Sequence, residues 1–170
     1  MKTNMNRKGI SNVVATIILI AVAIALAVAV AVWVFGLAGS ASKTATLQVQ
    51  AVGLTGVSSG SSANLTLLIS NPSSSGIGIN GFTLGSLSCV FNTPVQIPAG
   101  TQGGELTITL GIENNAFTNA TSVAGSNGIT ASGITALCSG NQTAAVGIQY
   151  SGYITTVSGQ TYPFTVTASS

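Results

Sequence analysis

Few side chains in this sequence are able to do chemistry. Two glutamates (Glu105 and Glu113), four cations (Lys2, Arg7, Lys8 and Lys43), three tyrosines and two cysteines make up the set, with no histidine and no aspartate. Acid–base catalysis wants a group that titrates near the working pH, and nucleophilic catalysis wants a base beside the nucleophile. Glu105 and Glu113 are the one conceivable carboxylate pair, but solvated positions at a strand edge and in a loop account for both. Cys89 and Cys138, without His or Asp partners, do not build an ordinary metal site. The expectation is therefore no catalytic residue, no metal and no cofactor.

Two motifs remain. GIGING, with Gly76, Gly78 and Gly81, satisfies G-x-G-x-x-G, but the dinucleotide fingerprint needs a helix after it and an acidic residue about 20 positions on. FTLGSLSCVF comes next instead, so glycine-punctuated strand turns explain the match. Asn64-Leu65-Thr66, Asn119-Ala120-Thr121 and Asn141-Gln142-Thr143 are N-glycosylation sequons, which have meaning only in an exported chain. Asn71 is excluded as an acceptor because Pro72 is its neighbour.

Export is decided by the element that precedes all of these. Ile10 to Ala38, ISNVVATIILIAVAIALAVAVAVWVFGLA, has neither a charge nor a proline. As a helix it would be about 43 Å long, enough to cross a hydrocarbon core of about 30 Å. Between Ala21 and Val32 small and large residues alternate strictly, which is the period of a strand. A lone strand in lipid leaves its backbone unpaired, and Ala is the best helix former, so a helix is expected. On that helix a step of two residues turns about 200°, which spreads the alanines over every face. Ala21, Ala25, Ala29 and Ala23, Ala27, Ala31 are then small-xxx-small rows on different sides, suited to packing among other helices.

Only 4% of the chain is charged, against about 25% in ordinary soluble domains. Three of the four cations precede the apolar run, so the net charge of +2 comes from that leader and implies no nucleic-acid partner. By the positive-inside rule those cations stay cytoplasmic and the C-terminal part is exported. Cys89 and Cys138 both fall in the exported part, which favours a disulfide over two buried free thiols. Such a bridge closes a loop of about 50 residues and contributes about 4 kcal/mol on the chain-entropy argument.

A conventional secretory signal is cut after its apolar region. Here the charged, small-residue signal Arg7-Lys8-Gly9 comes before it. RKG followed by ISNVVATIILIAVAIALAVAVAV resembles the processing site and N-terminal helix of archaeal type IV pilins, prepilins with a class III signal peptide. The resemblance covers about the first quarter of the chain. It implies that a prepilin peptidase recognises Arg7, Lys8 and Gly9, cuts after Gly9 and leaves Ile10 as the new N-terminus, with Ser11 and Asn12 as the polar start of the mature helix. It also implies a membrane-inserted precursor, a homopolymer held through helix 10–38, and an extracellular adhesive pilus. The glutamate that bacterial pilins carry near the mature N-terminus is replaced by apolar residues, which points to the archaeal branch. The alternatives are an archaeal flagellin, which has the same kind of leader and helix, and a non-polymerising anchored surface protein.

Trp33 and Phe35 suit a membrane interface, and the helix is expected to fray after Gly36. From Thr44 the period becomes two, placing Ala45, Leu47, Val49 and Ala51 on one side. ANLTLLIS, IGINGFTLG, LSCVF, PVQIPA, ELTITLG, GITASGITAL, AAVGIQY, YITTVS and YPFTVTA are candidate strands between Gly, Ser, Asn and Pro clusters. Ile112 to Asn127 reads as an exposed loop with a helical turn. The expected organisation is α+β: a leader at 1–9, an assembly and transmembrane helix at 10–40, and an extracellular immunoglobulin-like antiparallel β-sandwich at 44–170.

Overall fold

The computed structural model describes residues 6–42 and 46–170, with side chains at 11–36 and 46–170. Lys43 and Ala45 lie outside the described residues. The chain divides into two compact units, Met1–Ser42 and Lys43–Ser170.

Among the described residues the first unit is a single helix, α1, spanning Asn6–Ser42, 37 residues or about 55 Å at the helical rise. Its described span opens at Asn6, within the basic N-terminal stretch, and runs six residues past Gly36, so the expected fraying there does not occur. Gly36, Gly39 and Ser40 are poor helix formers, but without a proline nothing in this stretch forces a stop. Within α1 the hydroxyl of Thr16 donates to the carbonyl of Asn12 at 2.8 Å, so this polar group is satisfied within the helix.

The second unit contains nine strands. These are β1 (Gln48–Thr55), β2 (Ser62–Ser70), β3 (Ile77–Leu84), β4 (Leu87–Ile97), β5 (Gly104–Glu113), β6 (Ala116–Ser126), β7 (Ile134–Ser139), β8 (Gln149–Thr156) and β9 (Thr161–Thr167). Burial alternates with the pleat: Leu65, Leu67 and Ile69 of β2 point inward beside Leu106 and Ile108 of β5, while the residues between them face outward. Each such fully buried aliphatic side chain contributes about 1.5–3 kcal/mol. Phe82 and Phe91 join this core with ring centroids 5.6 Å apart.

All nine strands form one hydrogen-bonded sheet in the order β1-β2-β5-β6-β7-β4-β3-β8-β9, with every strand pair antiparallel. Its two end strands approach each other: Leu54 bridges Ala168, and the Ser169 N–H donates to the Leu54 carbonyl at 2.8 Å. The result is a nearly closed, barrel-like sandwich around one core. An immunoglobulin-like layout, two separately bonded sheets face to face, is not supported by this order. The general expectation of a helix followed by an antiparallel β-domain agrees with the structure.

Two other expectations change. Ile112 to Asn127 is the end of β5, a two-residue turn and all of β6, and contains no helical turn. Asn114 and Asn115 lie between the two strands with φ of 51° and 60°, the left-handed pair that a two-residue type I′ hairpin requires and that Asn tolerates. LSCVF and PVQIPA merge into the single strand β4, whose Pro94 lies opposite the register shift between Ile79 and Gly81.

Candidate functional site

Among the described residues the longest run of exposed apolar side chains is on α1. From Ser11 to Gly36 every residue is exposed, with large apolar side chains ranging from 47% accessible at Val14 to 77% at Phe35. A helix that is apolar all round fits burial in lipid or among other helices rather than one face against a core. Ala21, Ala25, Ala29 and Ala23, Ala27, Ala31 all belong to this exposed span, leaving shallow grooves where a second backbone can approach. Arg7, Lys8, Gly9 and Ile10 form part of the first helical turns, and their side chains lie outside the described residues.

Cys89 and Cys138 are joined by a disulfide. They are direct partners in the β4–β7 ladder, Cys89 buried and Cys138 half-buried. The bridge therefore clips two neighbouring strands of the sheet. The Cys138 N–H donates sideways, at 2.8 Å, to Oδ1 of Asn119 on β6. That side chain supplies the acceptor that an irregular stretch of the β6–β7 ladder lacks at this point.

The three sequon asparagines are all exposed. Asn64 projects from β2, where its Oδ1 accepts the Thr109 hydroxyl at 2.9 Å. Asn119 projects from β6, with its Oδ1 on the Cys138 N–H. Asn141 lies in the connection between β7 and β8, its carbonyl accepting the Ser86 hydroxyl, while the neighbouring Gln142 side chain accepts the Ser86 N–H at 2.9 Å. A sugar carried on any of the three would meet solvent on attachment.

Glu105 is the second residue of β5 and Glu113 its last, about 26 Å apart at the strand rise, so they share no site. Among the described residues no cluster of three or more His, Cys, Asp or Glu is suited to a metal. Gly78 and Gly81 of GIGING lie within β3 and are followed by β4 rather than a helix. A side chain at Gly81 would run into the backbone carbonyl of Cys89, so close strand approach is what that glycine serves. A surface depression beside Cys138 is lined by Leu87, Phe117, Thr118, Asn119 and a single carboxylate, Glu113.

Asn71, which sequence reasoning set aside, makes five side-chain hydrogen bonds. Asn71 is fully buried. Its Nδ2 donates to the carbonyls of Ser75, Ile97 and Pro98 at 2.9, 3.2 and 3.2 Å, and its Oδ1 accepts the N–H and hydroxyl of Ser73. It thus ties the β2–β3 connection to the end of β4. The available signal was Asn-Pro-Ser-Ser, an Asx turn, which indicates local bonding but not the partner 26 residues away.

No protein-family model matches the chain, and comparison with curated proteins finds no match.

Proposed function

We propose that this chain is the structural subunit of an extracellular filament, an archaeal type IV pilin with no enzymatic role. Prepilin peptidase would cut between Gly9 and Ile10, leaving the helix from Ile10 onward as the new N-terminal element. Before assembly that helix holds the subunit in the membrane; in the filament it packs among copies of itself. Repeated head-to-tail contacts that do not close into a ring give an open helical polymer. The β-domain forms the outer sheath, carries N-linked glycans at Asn64, Asn119 and Asn141, and serves adhesion at the cell surface.

The observation that carries this reading is the all-round exposure of apolar side chains on α1, with small residues on every face. Lipid alone satisfies greasy residues; grooves on all sides favour enclosure by other helices. The reading is supported further by a β-domain whose side-chain carboxylates number only two, a surface that lets copies crowd without strong repulsion.

Replacing Ala25 and Ala29 together by Leu separates filament from anchor. Leu keeps helix propensity and hydropathy, so insertion into the membrane should be unchanged, whereas the groove is filled. Filament yield in sheared material should fall about tenfold or more. Undiminished filaments from this variant would remove close helix packing from the account. Deletion of the gene, with loss of thin filaments and retained swimming, separates a pilin from a flagellin.

A further inference from the structure

The outward positions of the β-domain are mostly Thr, Ser, Gln and Asn, but one aliphatic pair spans two neighbouring strands. Val90 and Leu137 are direct partners across β4 and β7, and they are 55% and 75% exposed. Polar residues frame them: Ser88 and Ser139 pair on one side, and on the other Asn92 accepts the Thr135 N–H at 3.1 Å. Covering such a pair removes apolar surface from water and is favourable.

The candidate cover begins on the next strand. Ala120 of β6 pairs with Ala136 of β7, so one step along, Asn119 stands across from Leu137. Its side chain is held there by the bond from the Cys138 N–H to Oδ1 at 2.8 Å. Among the described residues no hydrogen bond uses its Nδ2. Asn119, Leu137 and Val90 therefore lie in a row across three adjacent strands, at spacings of about 4.8 Å. The other sequons lack this setting. Asn64 sits between Thr55 and Thr109, its pairing partners on either side, and Asn141 lies in a connection between strands.

We propose that Asn119 carries an N-linked glycan whose first sugar rings lie across Leu137 and Val90, covering them with the C–H face of the pyranose. This rests on the exported, glycosylated reading of the chain. In the attachment step the amide nitrogen Nδ2 attacks the anomeric carbon of a saccharyl diphosphate donor. An N–C bond forms, the C–O bond to diphosphate breaks and its electron pair leaves with the diphosphate, and Nδ2 gives one proton to water. The glycan then shields an apolar pair that would otherwise stay wet.

The test uses the full-length protein purified in detergent from its own cells. Peptide mass spectrometry reads occupancy at the three sequons, and labelling by a photogenerated carbene, read on the peptides that hold Val90 and Leu137, reports how far that pair is exposed. Thr121→Ala removes the sequon while leaving Asn119 and its bond to Cys138 in place; Thr121 is exposed and makes one long bond to the Thr109 carbonyl at 3.4 Å. Asn119 should be occupied, and Thr121→Ala should raise carbene labelling of the Val90 and Leu137 peptides about twofold or more. Thr66→Ala and Thr143→Ala should leave that labelling unchanged. An occupied Asn119 whose loss leaves the labelling unchanged would overturn the shielding and leave glycosylation standing. An unmodified Asn119 beside sugars at Asn64 or Asn141 would overturn the site. Three bare sequons would overturn the glycosylated reading itself.

Discussion

Cys89 and Cys138 stand directly opposite each other in the β4–β7 ladder, with Cα atoms 4.0 Å apart and their sulfurs bonded. They are separated by 49 residues of sequence that include the whole of β5 and β6, so the bond restricts a long loop of the unfolded chain. Replacing both by Ala should lower stability by about 4 kcal/mol, while Val90–Leu137 and Phe91–Ala136 keep the two strands paired. Denaturant titration of the full-length protein in detergent measures this. A loss under about 1 kcal/mol would mean that the sheet alone holds these strands.

Asn71 is the second cross-tie. Its removal leaves the carbonyl of the buried Ile97 without its Nδ2 donor, whereas the carbonyl of the exposed Pro98 keeps the Thr101 hydroxyl at 2.7 Å. Asn71→Ala should destabilise by about 3 kcal/mol. Asn71→Asp should be worse at neutral pH, because a carboxylate oxygen would then face three carbonyl oxygens. A change in melting temperature no larger than that of an exposed control such as Asn92→Ala would contradict the assignment.

The Asn114-Asn115 turn gives a prediction of opposite sign. Both residues have positive φ, which glycine adopts without penalty and a β-branched residue does not. Asn115→Gly should be neutral or stabilising by about 0.5 kcal/mol, and Asn115→Val should cost about 1–2 kcal/mol. Equal stabilities for the two variants would show that the turn tolerates other geometries.

These cases explain how much of the fold was legible in the sequence. The β2 and β5 strands could be read directly because Leu65, Leu67, Leu106 and Ile108 alternate with polar residues. The helix was legible despite its period of two, since in lipid backbone pairing outranks pattern. β6 was not, because AFTNATSVAGS has few large apolar residues and its hairpin turn is Asn-Asn rather than Asn-Gly. Strand order was hidden for another reason. β2 pairs with β5, β4 with β7 and β3 with β8 across intervening strands, and alternation says which residues face inward but not which strand lies alongside. Asn71 escaped notice because a sequon test looks only at the next two residues, whereas its role is fixed by carbonyls distant in sequence.

Charge supplies a further prediction. Stability depends on pH only through groups that bind protons differently in the folded and unfolded states. The sequence holds two glutamates, no aspartate and no histidine, so acid has few side chains to act on. The β-domain's melting temperature at pH 2 should therefore lie within about 5 °C of its value at pH 7. A drop several times larger, measured by circular dichroism of the full-length protein, would show that one of these carboxylates holds the fold together.

Whether copies of α1 enclose one another outside the cell decides between a filament subunit and a membrane anchor. Electron microscopy of material sheared from the producing cells, combined with N-terminal sequencing of its main protein, addresses that directly. The prediction is a thin filament built from this chain beginning at Ile10. Cells without such filaments, and a protein that purifies as single molecules still beginning at Met1 or Met5, would contradict it.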